Sequence, residues 1–444
     1  MVNVKINNQE YSFEEGLTIL EACRKVNIDI PTLCYYKGLV ESGNCRVCLV
    51  EVKGARNYVT ACNYKIYDGM EVFTNTLEII EARKKSVELI ISNHSMECLN
   101  CSANHNCELQ SLTKRLNVEE RYYGKKTERT LDDFSGILIR DTSKCILCGR
   151  CIEMCKNTQG IGILNFENRG LKTIVAPIAN KSFKDVPCTY CGQCTKVCPT
   201  GALTIKENIR DLLVALKEGK HVVAQTAPAV RAALGEEFGY KIGTNVEGKM
   251  VAALRKIGCS KVYDVNFGAD LTIMEEASEF IERFTNKENL PLITSCCPGW
   301  IRYIETYYPE LLNHLSSCKS PHMMEGAIIK SYYAKKNNID PKDIVVVSIM
   351  PCSAKKEEKD RNDNDVDIVL TTVELANLIK LFGISFEDLE DEKFDADLLG
   401  DFSGAGVIFG ASGGVMEAAL RTAYHSLTNE EYETIEFNKV RGME

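Results

Sequence analysis

With 444 residues, the chain is too long for one hydrophobic core, so two to four domains are expected. Its net charge of −9 argues against nucleic acid or an anionic membrane as a partner. No segment approaches the roughly 18 uncharged apolar residues of a membrane span. The start at Met1–Lys5 alternates like a strand and lacks the apolar stretch of a signal peptide, which predicts a cytoplasmic protein.

Cysteine is the unusual feature of the composition, with 21 residues. Nearly all of these cysteines fall in three N-terminal groups, which contain repeated C-x2-C pairs, and in three later positions, rather than being scattered along the chain. Disulfides are typical of secreted chains, whereas repeated C-x2-C pairs are typical of metal centres. The sequence therefore predicts several iron–sulfur clusters.

Residues 1–78 combine short apolar runs with one helical segment. The runs Val2–Ile6, Cys48–Val52 and Tyr58–Ala61 alternate like strands, and Thr18–Val26 has helical periodicity. This pattern predicts a β-grasp domain like that of the 2Fe–2S ferredoxins.

Four cysteines of this first domain follow the spacing C-x10-C-x2-C-x13-C. The spacing is similar to the plant-type 2Fe–2S scheme, with a wider first gap. A zinc site or buried free thiols are the alternatives, but zinc sites usually have two C-x2-C pairs and only one is present. The predicted ligands are Cys34, Cys45, Cys48 and Cys62.

Residues 79–125 are predicted to form a small 4Fe–4S domain, with a helix at Glu78–Ile91 followed by a loop rich in cysteine and histidine. A neutral imidazole can fill the site that three thiolates leave open. His105 competes for this role, and a zinc site remains an alternative. The predicted ligands follow H-x3-C-x2-C-x5-C and are His94, Cys98, Cys101 and Cys107.

Residues 126–209 contain the pattern C-x2-C-x2-C-x3-C twice, which is typical of two-cluster bacterial ferredoxins. In these proteins the fourth cysteine of each run binds the cluster of the other run. Together with the two upstream sites, this domain indicates a relay for single electrons. The predicted ligand sets are Cys145, Cys148, Cys151 and Cys198 for one 4Fe–4S cluster, and Cys188, Cys191, Cys194 and Cys155 for the other.

Residues 210–444 alternate strand-like runs with longer helical stretches such as Leu271–Arg283, which predicts an α/β domain with a mainly parallel sheet. Ligands of such sheets bind beyond the carboxyl ends of the strands. The predicted strands are His221–Ala224, Lys261–Val265, Pro291–Thr294, Ile344–Ser348 and Asp367–Leu370.

Three segments after residue 220 have an unusual composition for an α/β domain: Gln225–Arg231, Thr294–Trp300 and Met350–Glu358. In the last two, cysteines at strand ends have proline or glycine beside them, which places them to face a ligand. The motifs TSCCPGW and MPCSAKKEE resemble the first two H-cluster signatures of FeFe-hydrogenases. DVNFGADLTIMEEASE, SSCKSP and FGASGGVMEAALR also resemble that family, and the upstream cluster modules follow the order of its larger bacterial members. The resemblance implies an α+β multidomain protein that ends in an H-cluster domain.

The resemblance also implies roles for single residues. Cys297 and Cys352 match cubane ligands, and Cys296 matches the thiol that exchanges protons with the di-iron subsite. A thiol suits that exchange because its usual pKa is near 8.5, whereas a carboxyl is near 4. The implied proton pathway is Glu276, Ser316, Glu279 and Arg283, and the implied lining around the cyanide and carbonyl ligands is Ala227, Pro228, Met350 and Lys355, with His322 where the family more often has glutamine.

The family takes two further cubane ligands from a third, glycine-rich cysteine motif nearer the C-terminus. No cysteine follows Cys352 here, so only two of the four ligands are expected. A truncated sequence, a second chain that supplies the rest, and a degenerate homologue remain open explanations. If the 444 residues are the whole polypeptide, we expect no normal H-cluster and no H2 turnover.

The predicted function is reversible H2 oxidation and proton reduction, with ferredoxin or a similar small carrier as electron partner and maturation proteins for the di-iron subsite. No G-x-G-x-x-G loop is present, so direct binding of NAD(P)H is not expected. The N-terminal modules also resemble the large iron–sulfur subunit of respiratory complex I. The alternatives are therefore a non-catalytic electron-relay subunit and a cluster-bearing sensor.

Overall fold

The computed structural model describes residues 1–39, 41–119, 130–361 and 364–432. It divides into two compact units, one of residues 1–188 with 192–206, and one of residues 189–191 with 207–444. The predicted domain boundary at residues 125 and 126 lies outside the described residues, as do the last twelve residues of the sequence, 433–444. In the described part of the chain, no helix is long and apolar enough to cross a membrane.

The N-terminal region of the first unit contains a mixed sheet in the order β2-β1-β5-β3-β4. The predicted strands and helix are confirmed, and two strands that the sequence did not indicate, β2 and β5, complete the sheet. The helix α1 starts at a capping box, in which Thr18 and Glu21 bond each other's backbone N–H groups. The elements are β1 (Val2–Ile6), β2 (Gln9–Phe13), α1 (Ile19–Lys25), β3 (Leu49–Val52), β4 (Val59–Thr60) and β5 (Met70–Phe73).

The predicted second helix is confirmed with slightly wider bounds, as α2 (Leu77–Ser92). Thr76 caps its first turn, and the helix ends at Asn93. Its buried face packs with Leu109 and Leu112 of α3 (Glu108–Arg115). This packing places the cysteine- and histidine-rich loop between two supported helices.

The remainder of the first unit consists of short elements around the doubled cysteine pattern. One antiparallel sheet has the order β10-β7-β6, and β8 pairs with β9. The elements are β6 (Leu131–Asp132), β7 (Leu138–Asp141), α4 (Arg150–Glu153), β8 (Leu164–Glu167), β9 (Ile174–Pro177), α5 (Gln193–Lys196) and β10 (Leu203–Ile205).

The second unit is built on a parallel sheet in the order β12-β11-β13-β14, as predicted. Its strands are buried on both faces, because Val222 and Ala224 belong to one core and Val223 belongs to another. The strands are β11 (His221–Thr226), β12 (Lys261–Asp264), β13 (Ile344–Met350) and β14 (Ile368–Thr371). The helices are α6 (Ile209–Lys217), α7 (Pro228–Ala233), α8 (Glu247–Ile257), α9 (Asn266–Asn286), α10 (Pro298–Tyr307), α11 (Pro321–Ile328), α12 (Ala334–Lys336), α13 (Lys355–Glu358), α14 (Thr372–Leu381), α15 (Gly404–Phe409) and α16 (Gly414–Thr428).

The prediction of a strand at Pro291–Thr294 is wrong. Only Ile293 forms a β-bridge, with Leu315. Pro291 has no backbone N–H to donate, so a sheet ladder is interrupted where the predicted strand begins. The segment instead delivers Thr294 to the loop before α10, where it contributes to the candidate site.

Candidate active site and iron–sulfur sites

The four predicted ligands of the 2Fe–2S cluster lie together in the N-terminal region. The Cys34 thiol contacts those of Cys45 and Cys62, and Cys62 also contacts Cys48. The loop wraps closely because Gly43 has φ +63°, where a Cβ atom would come within 2.9 Å of Asn63 Nδ2. Four converging thiols fit a 2Fe–2S cluster.

Three of the four residues predicted for the second cluster line one cavity of about 270 Å³, namely His94, Cys98 and Cys107. The Cys101 thiol faces Gly201, at which a Cβ atom would come within 2.6 Å of the sulfur. His105 is exposed and is not part of the cavity wall. The geometry thus favours His94 over His105 as the fourth ligand.

In the doubled cysteine region, Cys145, Cys148, Cys151 and Cys198 line the same cavity. This is the crossed set expected of a two-cluster ferredoxin, because Cys198 comes from the second run. The two runs share backbone geometry, since Leu147 and Tyr190, one residue before the second cysteine of each run, both have positive φ. Of the other predicted set, Cys155 and Cys188 are buried, whereas Cys191 and Cys194 are half-buried.

Arg150 is a buried residue that joins three cluster loops of the first unit, and the sequence patterns did not single it out. Its guanidinium donates to the Glu108 carboxylate at 2.6 and 2.8 Å, to Tyr35 O at 2.9 Å and to Val197 O at 3.4 Å. Each partner is adjacent in sequence to a predicted ligand, and Arg150 itself precedes Cys151. The ligands next to the three partners are Cys34, Cys107 and Cys198.

In the second unit, a cavity of about 440 Å³ opens at the carboxyl ends of β11 and β13. The residues predicted to surround the di-iron subsite meet there. Cys297 is exposed at the start of α10 and lies outside the wall of this cavity, although its charge affects the Cys352 thiol. Lining residues that the sequence predicted are Ala227, Pro228, Cys296, His322, Met350, Cys352 and Lys355.

The cation at this cavity is held by a buried network. Lys355 Nζ donates to Cys296 O at 2.8 Å and to Glu358 Oε2 at 2.6 Å, and Glu358 also bonds His322 Nε2 at 2.7 Å. Burial alone would raise the pKa of Glu358, but Lys355 and His322 outweigh it and lower that pKa to about 2. Because His322 Nδ1 bonds Ser348 Oγ at 3.1 Å, both ring nitrogens already have protein partners.

The residues of the predicted proton pathway lie together behind Cys296. Ser316 Oγ donates to Glu279 Oε2 at 2.8 Å, and Arg283 donates to Glu279 Oε1 at 2.6 Å. The Ser316 hydroxyl also lies close to Glu276 and opposes the rise in the pKa of that carboxyl. Thr294 lies between Glu276 and Cys296. Its hydroxyl donates to Glu276 Oε1 at 2.7 Å and lies close to the Cys296 thiol, where it opposes the rise in the pKa of that thiol. Sequence reasoning missed Thr294, although it is the first residue of the TSCCPGW motif.

The two carboxyl groups of the predicted proton pathway, Glu276 and Glu279, have different acidities. Burial raises the pKa of Glu276. Burial would also raise the pKa of Glu279, but hydrogen bonds from Ser316 and Ser317 and the charge of Arg283 lower it. The predicted pathway therefore leads from the buried, weakly acidic carboxyl of Glu276 to the ionised carboxylate of Glu279 near the protein surface.

The buried carboxyl of Glu325, on α11, was not indicated by the sequence. Its side chain is fully buried, and neither oxygen has a hydrogen-bond partner among the residues that the structure describes. Burial, followed by the nearby charge of Asp264, raises its pKa well above the usual value. Glu325 lines a separate cavity of about 70 Å³ together with Tyr263 and Asp264.

We expect the Glu325→Gln variant to be more stable than the wild type at neutral pH. The unfolded carboxyl ionises above its ordinary pKa of 4.5, whereas the folded one keeps its proton, so folding takes up a proton. Above pH 5, and up to the pH at which the folded carboxyl itself ionises, the advantage of the variant should grow by about 1.4 kcal/mol per pH unit. Urea denaturation followed by the fluorescence of Trp300, the single tryptophan, measures it.

The matched control is Glu358→Gln, whose carboxyl is buried but paired. Its pKa of about 2 in the folded state lies below the unfolded value of 4.5, so this variant should lose stability at neutral pH. That loss should shrink as the pH falls from 4.5 towards 2. Equal pH dependence in the Glu325→Gln variant and the wild type would show that Glu325 is ionised in the folded protein.

Comparison with known proteins gives the class of this iron–sulfur protein. Residues 220–444 match the family described as iron only hydrogenase large subunit, C-terminal domain. Residues 1–76 match a 2Fe-2S iron-sulfur cluster binding domain, and residues 144–202 match a 4Fe-4S dicluster domain. Residues 83–121 match the NADH-ubiquinone oxidoreductase-G iron-sulfur binding region.

Two curated relatives match the whole chain. It is 48% identical to NADP-reducing hydrogenase subunit HndD of Solidesulfovibrio fructosivorans and 42% identical to iron hydrogenase 1 of Clostridium pasteurianum, and it covers 79% of each. The periplasmic [Fe] hydrogenase large subunit of Nitratidesulfovibrio vulgaris is 51% identical over 52% of this chain and 56% of that protein.

The chain belongs to the iron-only, or FeFe, hydrogenases. The predicted family is therefore confirmed, as are the predicted types of cofactor: 2Fe–2S and 4Fe–4S clusters and an H-cluster domain. At the level of fold, iron–sulfur domains of ferredoxin type precede an α/β domain with a parallel sheet.

Proposed function

We propose that the protein interconverts H2 with protons and electrons at the cavity of the second unit. The observation that carries this proposal is the row of polar side chains that runs from Cys296, through Thr294 and Glu276, to Arg283. A buried chain of hydroxyl and carboxyl groups that ends at a thiol on a cavity wall has the arrangement required to move protons. If Glu279 and Arg283 formed only an ordinary salt bridge on a helix surface, no row of polar side chains would be needed between them and the buried Cys296.

The residues around the cavity suit an anionic metal group. Cys297 and Cys352 would hold the cubane part of the H-cluster, and Lys355 presents a positive charge that can donate to an anionic ligand. When bound, the H-cluster supplies the metal that accepts the hydride of H2. Pro228 and Met350 form an apolar part of the wall that limits the access of water.

The residues of the chain itself then handle the proton. Cys296 takes it at Sγ, and Thr294 passes it on to Glu276, because its hydroxyl can accept and donate at the same time. Ser316 connects Glu276 with Glu279 in the same way. Arg283 keeps Glu279 ionised, so that this carboxylate can exchange protons with solvent.

For the relay we propose four modules in the order that the sequence indicates. They are a β-grasp 2Fe–2S domain at 1–78, a His/Cys3 4Fe–4S domain at 79–125, a two-cluster ferredoxin domain at 126–209 and the H-cluster domain from 210. The mixed five-strand sheet, the cavity beside His94 and the crossed set of Cys145 and Cys198 support the first three.

The proposed electron partner is ferredoxin or a similar small carrier in the cytoplasm. A second candidate is NADP, reached through a partner subunit, because the relative at 48% identity is named as a subunit of an NADP-reducing hydrogenase. The protein isolated with any tightly bound subunits should be assayed for H2-dependent reduction of each carrier. Reduction of NADP that is lost when the bound subunits are removed would favour the second candidate.

Activity and iron content of the native protein, isolated anaerobically and with its di-iron subsite matured, test the proposal. We expect H2 evolution from reduced methyl viologen, H2 uptake with oxidised viologen, and about 20 irons per chain. A Cys296→Ala variant should retain the iron but lose turnover. About 14 irons with no H2 chemistry would instead favour a non-catalytic relay subunit.

A further inference from the structure

Arg140 is a buried cation with too few partners. It lies on β7 with 3% exposure, and its nearest carboxylate, Asp132 Oδ2, is 3.7 Å from Nη2. That carboxylate is already shared, because it accepts from Ser182 Oγ at 2.7 Å and from Phe183 N at 3.1 Å. Within the described part of the chain, Arg140 Nε and Nη1 have no hydrogen-bond acceptor.

A guanidinium remains charged and carries five N–H donors, so an incompletely paired one inside a protein is costly. Arg140 lines the cavity formed by Cys145, Cys148, Cys151 and Cys198, and its charge affects the Cys145 thiol. The proposed occupant of this cavity is a cluster rich in sulfur acceptors and bound by four thiolates. It would supply the negative charge and the acceptors that the protein does not.

The repeated cysteine pattern provides an internal comparison. Arg140 stands five residues before Cys145, and the position five residues before Cys188 is occupied by Phe183, which is fully buried. The two halves of the repeat thus differ at this position, with a buried cation in one and a buried phenyl ring in the other. Hydrogen bonds to sulfur and local charge are among the factors that set cluster potentials.

We propose that Arg140 donates hydrogen bonds from Nε and Nη1 to the 4Fe–4S cluster bound by Cys145, Cys148, Cys151 and Cys198, and raises its reduction potential. The inference rests on the proposed relay function of this site. Arg140 acts as a positioning and tuning residue, because it stabilises the reduced, more negative form of the cluster. Electrons should therefore reside at this cluster in preference to the one in the Phe183 half of the repeat.

Redox titrations of the full, cluster-loaded chain, followed by EPR spectroscopy, test this inference. In the Arg140→Gln variant we expect the ratio of reduced to oxidised cluster at a fixed potential to fall at least tenfold, a shift of about 59 mV. Arg140→Lys keeps the charge but loses the planar fork, so its shift should be smaller and in the same direction. The Cys145→Ser variant identifies which signal belongs to this cluster.

The matched control is Arg169→Gln, which removes an exposed arginine of the same unit and should leave every potential unchanged. Wild-type potentials in both the Gln and Lys variants, with full iron content, would overturn the inference and leave the relay proposal intact. If the wild-type chain takes up no cluster at these four cysteines, the relay proposal itself fails. If only the Arg140→Gln variant loses the cluster, the potential of the Arg140→Lys variant decides: a lowered potential supports the inference, and a wild-type potential overturns it.

Discussion

The Glu276→Gln variant is expected to evolve H2 about 100 to 10,000 times more slowly than the wild type, the usual contribution of a positioned acid–base group. Glu276 lies between the thiol side of the predicted proton pathway, reached through Thr294, and its surface side, reached through Ser316. An amide keeps the size and most of the hydrogen bonds but cannot take up and release a proton. The rate of H2 evolution from the matured protein measures the effect.

A neighbouring carboxylate provides the control for this prediction. Glu275 is exposed on the same helix, so Glu275→Gln should leave the rate unchanged. Iron content and the spectrum of the H-cluster separate a structural role of Glu276 from a role in proton transfer. Both should be the same in the Glu276→Gln variant as in the wild type. If the Glu276→Gln variant evolved and consumed H2 at the wild-type rates, the pathway through Glu276 would be excluded as the proton route.

Replacement of Thr294 tests the step that the sequence did not predict. Thr294→Val removes the hydroxyl that donates to Glu276 and lies beside the Cys296 thiol, whereas Thr294→Ser keeps it. We expect the valine variant to slow proton delivery and the serine variant to restore it, because only the hydroxyl both accepts and donates a proton. The comparison assigns the effect to the hydroxyl rather than to the packing of the side chain.

Most of what could be predicted of the fold and the candidate site came from local sequence patterns. Cysteine spacing within a C-x2-C pair is a local property, because a loop of two residues brings its own thiols together, and the predicted ligand sets were built on such pairs. The parallel strands were also evident, since apolar runs such as Ile344–Ser348 form regardless of their partners. The exception is Pro291–Thr294, where the apolar run did not form a ladder and only Ile293 makes a bridge, with Leu315.

Contacts between distant parts of the chain could not be predicted in this way. Thr294 meets Glu276 across 18 residues, and Arg140 reaches a cavity whose fourth cysteine is Cys198. No periodicity or spacing relates such pairs, because they are set by how the elements pack. The same holds for Glu325, whose burial follows from the close approach of α9 and α11 at Gly268, where a Cβ atom would come within 3.1 Å of the Glu325 side chain.

Arg150→Ala is expected to destabilise the first unit by about 2–4 kcal/mol. The variant removes both bonds to Glu108 and leaves Tyr35 O without its donor in a buried setting. The expected value lies towards the lower end for a buried pair because the Glu108 side chain is 48% exposed. Loss of the visible iron–sulfur absorbance with increasing urea, under anaerobic conditions, gives the free energy of unfolding.

The prediction extends to electron transfer because the partners of Arg150 lie beside Cys34, Cys107 and Cys198. Loss of the Arg150 contacts should change the distances between the cluster loops. In rapid-mixing experiments we therefore expect the clusters of the Arg150→Ala variant to be reduced one after another, and those of the wild type to be reduced together. The exposed pair of Arg115 and Asp29 is the control, since Arg115→Ala should cost at most about 1 kcal/mol and leave the kinetics unchanged. If the two variants behave alike, Arg150 is an ordinary ion pair, and the geometry of the relay depends on the packing of the cysteine loops themselves.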